Sequence, residues 1–392
     1  MYREMGDTFG VAGGARDGMP WVEQTTVSQR AEVVALSTSE AAGVSTVARR
    51  YGVSRKTVYK WQARHAAGES LEDRSHRPHT SPARTGPAME QRVVALRQRH
   101  PYWGSRKLHR LLVNDGIVEV PSPSTITRVL ARHGLLNRDP ASSPAMGRFE
   151  AAGPNHLWQM DFKGPLRLSG GPGSILSVLD DHSRFLVALH ACPDQRTTSV
   201  QEALTPVFRR YGLPYRILCD NGPPWGAGME HGYTALTVWL LRLGIDVGHG
   251  RPYHPQTQGK VERFHGTLEA ELLRHDPFTA PGGPQPVLDR YRAVYNTERP
   301  HLALDLATPV ERYLPSPRPF PETLPPVEYG PDVLVRRVQA GGWFSLYNRQ
   351  FHVSKALQGQ PVALRPTLAA DDYAVFFCHK QVATITLSER EK

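Results

Sequence analysis

Residues 157–191 read LWQMDFKGPLRLSGGPGSILSVLDDHSRFLVALHA. They hold three β-rich runs joined by a Gly-rich turn and an Asp/His/Ser turn. From there the pattern alternates. TSVQEALTPVFRRYG reads as a helix ending at Gly212, and YRILCDNG as a short apolar strand ending in a turn. YTALTVWLLRLG is a helix and IDVGHG a short strand. The stretch RPYHPQTQGKVERFHGTLEAELL (251–273) starts with turn formers and becomes an amphipathic helix, and PVLDRYRAVYNTERP is a further helix. Three antiparallel strands followed by alternating helices and strands predict an α/β unit, a mixed sheet with helices on its faces. Its boundaries are set at 156–315.

Upstream, the sequence is helical and basic. SQRAEVVALS is amphipathic, and in VSTVARRYGVSRKTVYKWQARHAAGE the spacing of Ala48, Gly52 and Val58 is that of a helix-turn-helix. Ser54 is a natural cap for its second helix. That helix would present Arg55, Lys56, Thr57, Tyr59 and Lys60 to a DNA major groove, with Val58 and Trp61 turned inward. Helices in MEQRVVALRQRH, YWGSRKLHRLLVNDG and SPSTITRVLARHGLL suggest a second such unit. It carries Arg106, Lys107, Arg110, Arg128 and Arg132 beside an apolar stripe of Ile126, Val129 and Leu130, with Ser122 or Ser124 as cap. The expected organisation is a disordered lead (1–27), a helix-turn-helix domain (28–69), a linker (70–87), a second helix-turn-helix domain (88–137) and a linker (138–155). The α/β core follows, then a Pro-rich linker (316–331) and a small all-β, barrel-like domain (332–392). In that last domain Arg336, Arg337, Trp343, Arg349 and Lys355 are candidates for contact with DNA or a second protomer.

Composition agrees with that division. A chain of 392 residues, 40% hydrophobic, exceeds what one core usually holds. The net charge is +10, yet residues 45–138 alone carry 18 Lys and Arg against 6 Asp and Glu, a surplus of twelve. Such a local excess suits a polyanion, whose counterions are released when phosphates are neutralised. No apolar run approaches the ~20 residues of a membrane span, and the first residues lack the apolar core of a signal peptide. Three scattered cysteines argue against a disulfide framework or a cysteine zinc site. A reducing cytoplasm fits, with no membrane partner.

Three acids stand out in the core. Asp161 interrupts the apolar first strand, Asp220 ends the apolar RILCD strand before an Asn-Gly turn, and Glu262 starts the helix after the last strand. Strand-end acids face the crevice at the carboxyl edge of a sheet. Glu262 lies at the edge of the stripe Val261, Phe264, Leu268 and Leu272. Three hard oxygen ligands suit Mg²⁺ or Mn²⁺, and two such ions bridged by a shared carboxylate suit phosphodiester chemistry. Lys260 and Arg263 are close enough to meet phosphate. Asp180 and Asp181 read as turn residues after the second strand, Glu230 and Glu269 are weaker rivals, and His254 and His265 read as shaping the loop or meeting DNA.

LWQMDF, VLDDHSR, CDNG and YHPQTQGKVERFHGTL, in this order, resemble the catalytic core of DDE transposases and retroviral-type integrases, the last segment especially that of bacterial insertion-sequence transposases. The resemblance is close over roughly 150–315 and looser over 28–137. It implies an RNase H-like fold, with catalytic and metal-binding acids at Asp161, Asp220 and Glu262, and two Mg²⁺ or Mn²⁺ ions. It further implies that Lys260 contacts transposon-end DNA and that Gly259 lets the backbone approach. The implied partners are double-stranded DNA, both terminal inverted repeats and target, and further copies of the chain; the sequence names no helper protein. The implied reaction is 3′-end cleavage and strand transfer, in a bacterial cytoplasm at the nucleoid. A catalytically inactive DNA-binding regulator and an RNase H-type nuclease are the alternatives. Two departures stand. Asp220 and Glu262 are 42 residues apart, a long spacing that a loop insertion over GPPWGAGMEHGY (222–233) would absorb, and helix-turn-helix units replace the zinc module of retroviral integrases.

Overall fold

The computed structural model describes residues 25–39, 42–75, 84–136, 149–168, 171–226, 233–250, 259–275, 278, 282–369 and 371–387. Most of the expected lead, parts of the linkers over 70–87 and 138–155, Glu230, His254 and the segment 251–258 lie outside these residues. The chain divides into two compact units, 1–84 and 85–392.

The first unit is a bundle of α1 (Thr26–Thr38), α2 (Val44–Arg50) and α3 (Arg55–Ala66). Val33, Val47, Ala48 and Val58 are its buried core. Gly52 has φ +64°, a left-handed turn that glycine accepts without strain, and it reverses the chain between α2 and α3. Ser54 caps α3 by accepting from the Thr57 amide at 3.2 Å.

The second unit opens with α4 (Pro87–Arg99), α5 (Ser105–Asn114) and α6 (Pro123–Arg132), packed around Val93, Trp103, Leu108, Leu112, Ile126 and Val129. Ser122, not Ser124, is the cap of α6, accepting from the Thr125 amide. These helices also reach Val294 of the core, so they are packed onto it.

The core sheet contains β1 (Trp158–Leu168), β2 (Gly171–Asp180), β3 (Leu186–Cys192), β4 (Arg216–Cys219) and β5 (Asp246–His249), in the order β3-β2-β1-β4-β5. The first three strands are antiparallel, and β4 and β5 run parallel to β1. This is the RNase H-like mixed sheet that the resemblance implies. The period-2 alternation of strands divides its residues between two faces. Trp158, Met160, Leu176 and Val178 face α7 (Thr197–Tyr211) and α8 (Ala235–Arg242). Ile175, Leu179, Leu186 and Leu189 face α9 (Gly259–Leu268) and α10 (Pro284–Thr297). Between the hydrophobic residues of β1, therefore, Gln159, Asp161 and Lys163 fall on the α9 face.

The helix expected to run through 273 changes winding. After Leu268 the chain forms a π-turn, Glu269–Leu273. The Pro-rich stretch 316–331 is not a free connector: Phe320 and Leu324 pack on the core, and the Arg318 guanidinium donates to the carbonyls of Pro214, Leu243 and Gly244. Gly212 (φ +76°) passes so close to this strap that a Cβ would sit 2.6 Å from the Ser316 carbonyl oxygen.

The C-terminal region is all-β, but it is not one closed barrel. A four-stranded antiparallel sheet has the order β11-β10-β9-β6, from β6 (Leu334–Arg337), β9 (Pro361–Pro366), β10 (Asp372–Phe377) and β11 (Lys380–Thr386). A separate hairpin pairs β7 (Trp343–Leu346) with β8 (Arg349–His352). Their shared core takes in Val238 and Leu241 of α8, and Lys380 pairs with Asp246 at 2.8 Å, so this region is fastened to the core sheet.

Candidate active site

Asp161 lies in the middle of β1, and Asp220 is the first residue past β4. Gln159 and Leu218 are partners in the parallel β1–β4 ladder. Two residues on along each strand, Asp161 and Asp220 stand side by side. Glu262 approaches from above, in the first turn of α9, which lies across β1 and β2. Val261, Phe264 and Leu268 bury that helix on the sheet, leaving Glu262 at the edge of the buried stripe and exposed.

The three acids share an electrostatic environment. Burial raises the Asp161 carboxyl to about 6, and the negative charges of Asp220 and Glu262 push the same way, against the Phe162 amide that donates to it at 2.8 Å. Among the described residues, no three acid, histidine or cysteine side chains are drawn into a group tight enough to grip an ion. Asp161 and Asp220 each accept one backbone amide, from Phe162 and Gly222, and Glu262 is exposed. The donor set itself fits a hard divalent cation, because it supplies carboxylate oxygens from three elements whose backbones converge.

Around the acids the structure reassigns several side chains. His265 is buried rather than open to DNA: its Nδ1 is 3.6 Å from the Asp161 carboxylate and its Nε2 is 3.1 Å from Ser177 Oγ. Burial, with Lys163 nearby, lowers it to about 4, so it is neutral at physiological pH. Asp180 ends β2 and Asp181 opens the turn that follows it, and both are fully buried. Asp180 accepts from the amides of Ser183 (2.8 Å) and Asn155 (2.7 Å) and from Ser183 Oγ. Asp181 accepts from the Ala151 amide (2.7 Å), Gln159 Nε2 (2.8 Å) and Lys260 Nζ (2.5 Å). Lys260 thus points into the protein, not towards an approaching phosphate, while Arg263 is exposed. On the other side of Asp220, His249 Nδ1 meets the Asp220 carbonyl at 2.8 Å and Asn221 donates to the Gly250 carbonyl, so the strand end is pinned to β5.

The helical units divide the expected DNA contacts. On α3, Arg55, Lys56, Tyr59 and Lys60 are exposed, whereas Thr57 is tied to Ser54 in the cap. In the second unit Arg106 and Arg128 are exposed. Arg132 pairs with the buried Glu90. Lys107 is not at the surface: it lies 3.7 Å from Glu271, with 15% of its side chain exposed, and burial followed by the charge of Arg299 lowers it to about 7. Glu271 is also gripped by Arg299 (2.7 Å, with a second contact at 3.0 Å) and meets the Tyr291 hydroxyl. The sequence offers no local sign of this network. In the C-terminal region Trp343 and Arg349 are exposed, while Arg336 and Arg337 donate to the carbonyls of Ser345 and Gly359.

Comparison with known proteins agrees with this organisation. Residues 151–255 and 243–309 match the integrase core domain, residues 24–73 and 57–130 match homeodomain-like domains, and residues 333–392 match the C-terminal domain of IS481 family transposases. An uncharacterized 31.7 kDa protein of insertion element IS407 from Burkholderia multivorans is 27% identical over 225 residues, 56% of this chain and 78% of that protein. An uncharacterized 39.2 kDa protein of insertion element IS476 from Xanthomonas euvesicatoria is 28% identical over 252 residues, 62% of this chain and 69% of that protein. Among solved structures, the simian T-cell lymphotropic virus intasome in complex with PP2A regulatory subunit B56 gamma aligns with 72% of this chain and 91% of its own at 19% identity, with a TM-score of 0.37. Among the described residues no helix is long and apolar enough to cross a membrane.

Proposed function

From a chain that carries an integrase core domain between homeodomain-like units and an IS481 family transposase C-terminal domain, we propose a DNA transposase that binds the ends of an insertion element, cleaves their 3′ ends and joins them to target DNA. The observation that carries this reading is the side-by-side placement of Asp161 on β1 and Asp220 at the end of the parallel strand β4, with Glu262 in the first turn of the helix that lies across β1 and β2. In cleavage, a water oxygen bonds to the phosphorus and the 3′-oxygen leaves, taking a proton. In transfer, that 3′-hydroxyl attacks a target phosphodiester, a new P–O bond forms, and the target 3′-oxygen leaves.

Asp161, Asp220 and Glu262 would hold Mg²⁺ or Mn²⁺. Such ions would supply Lewis acidity to the attacked phosphoryl group and to the entering and leaving oxygens. His265 beside Asp161 is neutral and so brings no competing positive charge to the carboxylates. Arg263, exposed one residue past Glu262, and the exposed basic groups of α3, α5 and α6 neutralise phosphates of the bound duplex. Both ends of an element must be held together, so the working form is a multimer of this chain on DNA.

The direct test is a labelled duplex carrying the element's terminal inverted repeat, incubated with the full chain and Mg²⁺ or Mn²⁺. A nick at the 3′ end of the element, abolished by chelator, is expected. DNA binding without cleavage under any divalent ion would support the regulator instead, and preferential cutting of an RNA–DNA hybrid would support the nuclease.

Protonation of Asp161 gives a second expectation. Its raised carboxyl favours the folded state below the ordinary value of 3.8, and that contribution is lost as the pH rises through about 6. A bound cation competes with the same proton. Mn²⁺ should therefore raise the melting temperature of the chain more at pH 7 than at pH 5. Equal shifts at the two pH values would remove Asp161 from the ion's ligands.

A further inference from the structure

Between Asp161 and Glu262 lies a buried polar cluster that the reaction itself does not use. Gln159, two residues before Asp161, is 2% exposed, and both ends of its side chain are engaged. Its Oε1 accepts from the backbone amide of Val261 at 3.1 Å, and its Nε2 donates to Asp181 at 2.8 Å. Val261 is in the first turn of α9, where an amide has no partner within the helix, and it precedes Glu262. The Asp181 carboxylate, wholly buried, then takes the Lys260 ammonium at 2.5 Å, and its own carbonyl takes a second hydrogen bond from that ammonium at 3.0 Å. The Ala151 amide completes the carboxylate's partners at 2.7 Å. Two consecutive residues of α9, Lys260 and Val261, are thereby tied to β1 and to the end of β2.

We propose that Gln159, Asp181 and Lys260 form a positioning clamp: they fix the first turn of α9 on the sheet, and so set the reach of Glu262 towards Asp161 and Asp220. This reading rests on the assignment of the three acids and adds residues that touch neither metal nor DNA. It gives Lys260 a different task from phosphate contact. The physical case is that a metal-binding side chain on the first turn of a helix is placed only as well as that turn is held. The residues immediately before α9 begin with turn formers, and a Gly starts the helix itself. Groups that orient the ligands of an ion typically change its affinity by about 10–100-fold when removed.

The test uses the full chain with Asp181→Asn, Lys260→Met and Gln159→Met, and two readouts. Hydrogen exchange of the peptide covering 259–268 should accelerate at least about tenfold in each variant, while peptides from β2 and β3 keep their protection. Mn²⁺ affinity, followed by the electron paramagnetic resonance of free Mn²⁺, should fall about 10–100-fold. Affinity for end DNA without divalent ions should stay unchanged. Because the three groups act as one unit, Asp181→Asn combined with Lys260→Met should be no worse than the worse single variant. Unchanged exchange in α9 would overturn the clamp, and so would Lys260→Met weakening DNA affinity while Mn²⁺ affinity stays put. If Asp181→Asn fails to fold, Gln159→Met carries the same decision, since it removes the acceptor of the Val261 amide and one donor to Asp181 but leaves the Asp181–Lys260 pair in place. Absence of saturable Mn²⁺ binding in the unsubstituted chain would defeat the transposase reading, and the exchange readout would still decide on the clamp.

Discussion

Asp161→Asn should lower metal-dependent cleavage of a terminal-repeat duplex by at least about 10³-fold, or about 4 kcal/mol of barrier, with end-DNA affinity unchanged. Asparagine keeps the shape of the side chain and its hydrogen bond from the Phe162 amide. It removes the negative charge that a divalent ion needs, at the most buried of the three acids. Relief of repulsion with Asp220 and Glu262 favours folding slightly, so no loss of structure is expected. Asp220→Asn and Glu262→Gln should give losses of the same order. Full activity in any one of them would take that residue out of the site. A loss of DNA affinity parallel to the loss of rate would mean that the acids act through the fold.

Glu271→Ala should destabilise the chain by about 3–5 kcal/mol. Glu271 and Arg299 each have about a tenth of the side chain exposed, and their contact is bidentate. Removing the carboxylate leaves the Arg299 guanidinium buried without a counter-charge, while Lys107, already lowered to about 7, sheds its proton. The guanidinium then has to be hydrated by local opening. A fall in the urea midpoint or melting temperature of the full chain measures the effect, and a change below about 1 kcal/mol would show that the network is as weak as a surface pair. Glu271→Gln, which still accepts from Arg299, should cost less.

The sequence made the sheet legible because strands advertise themselves by alternation, and the acids legible because they interrupt or end apolar runs. Asp161 and Asp220 needed only the assumption of parallel strands to be neighbours. What stayed hidden was pairing across long separations. Lys260 and Asp181 are 79 residues apart, and Arg132 and Glu90 are 42 apart. From the chain alone, each of these basic residues reads as a phosphate contact. The Asp-Asp-His-Ser stretch resembles an exposed turn, because nothing local reveals that the segment 151–155 runs over it and donates its amides. Likewise, alternation identified the C-terminal strands, but sheet closure depends on which edges pair, and here the β7–β8 hairpin remains a separate sheet.

The π-turn after α9 has one more consequence. A five-residue winding in place of α-helix is equivalent to inserting one residue into a regular helix, which rotates everything beyond it by about 100°. Upstream of Leu268 the helix keeps the phase that seats Val261 and Phe264 on the sheet, and downstream it adopts the phase that turns Glu271 to Arg299 and Lys107. One continuous helical rod thus obeys two angular settings. The end that presents Glu262 and the end that anchors the helical unit therefore each meet their partners from a single unbroken helix.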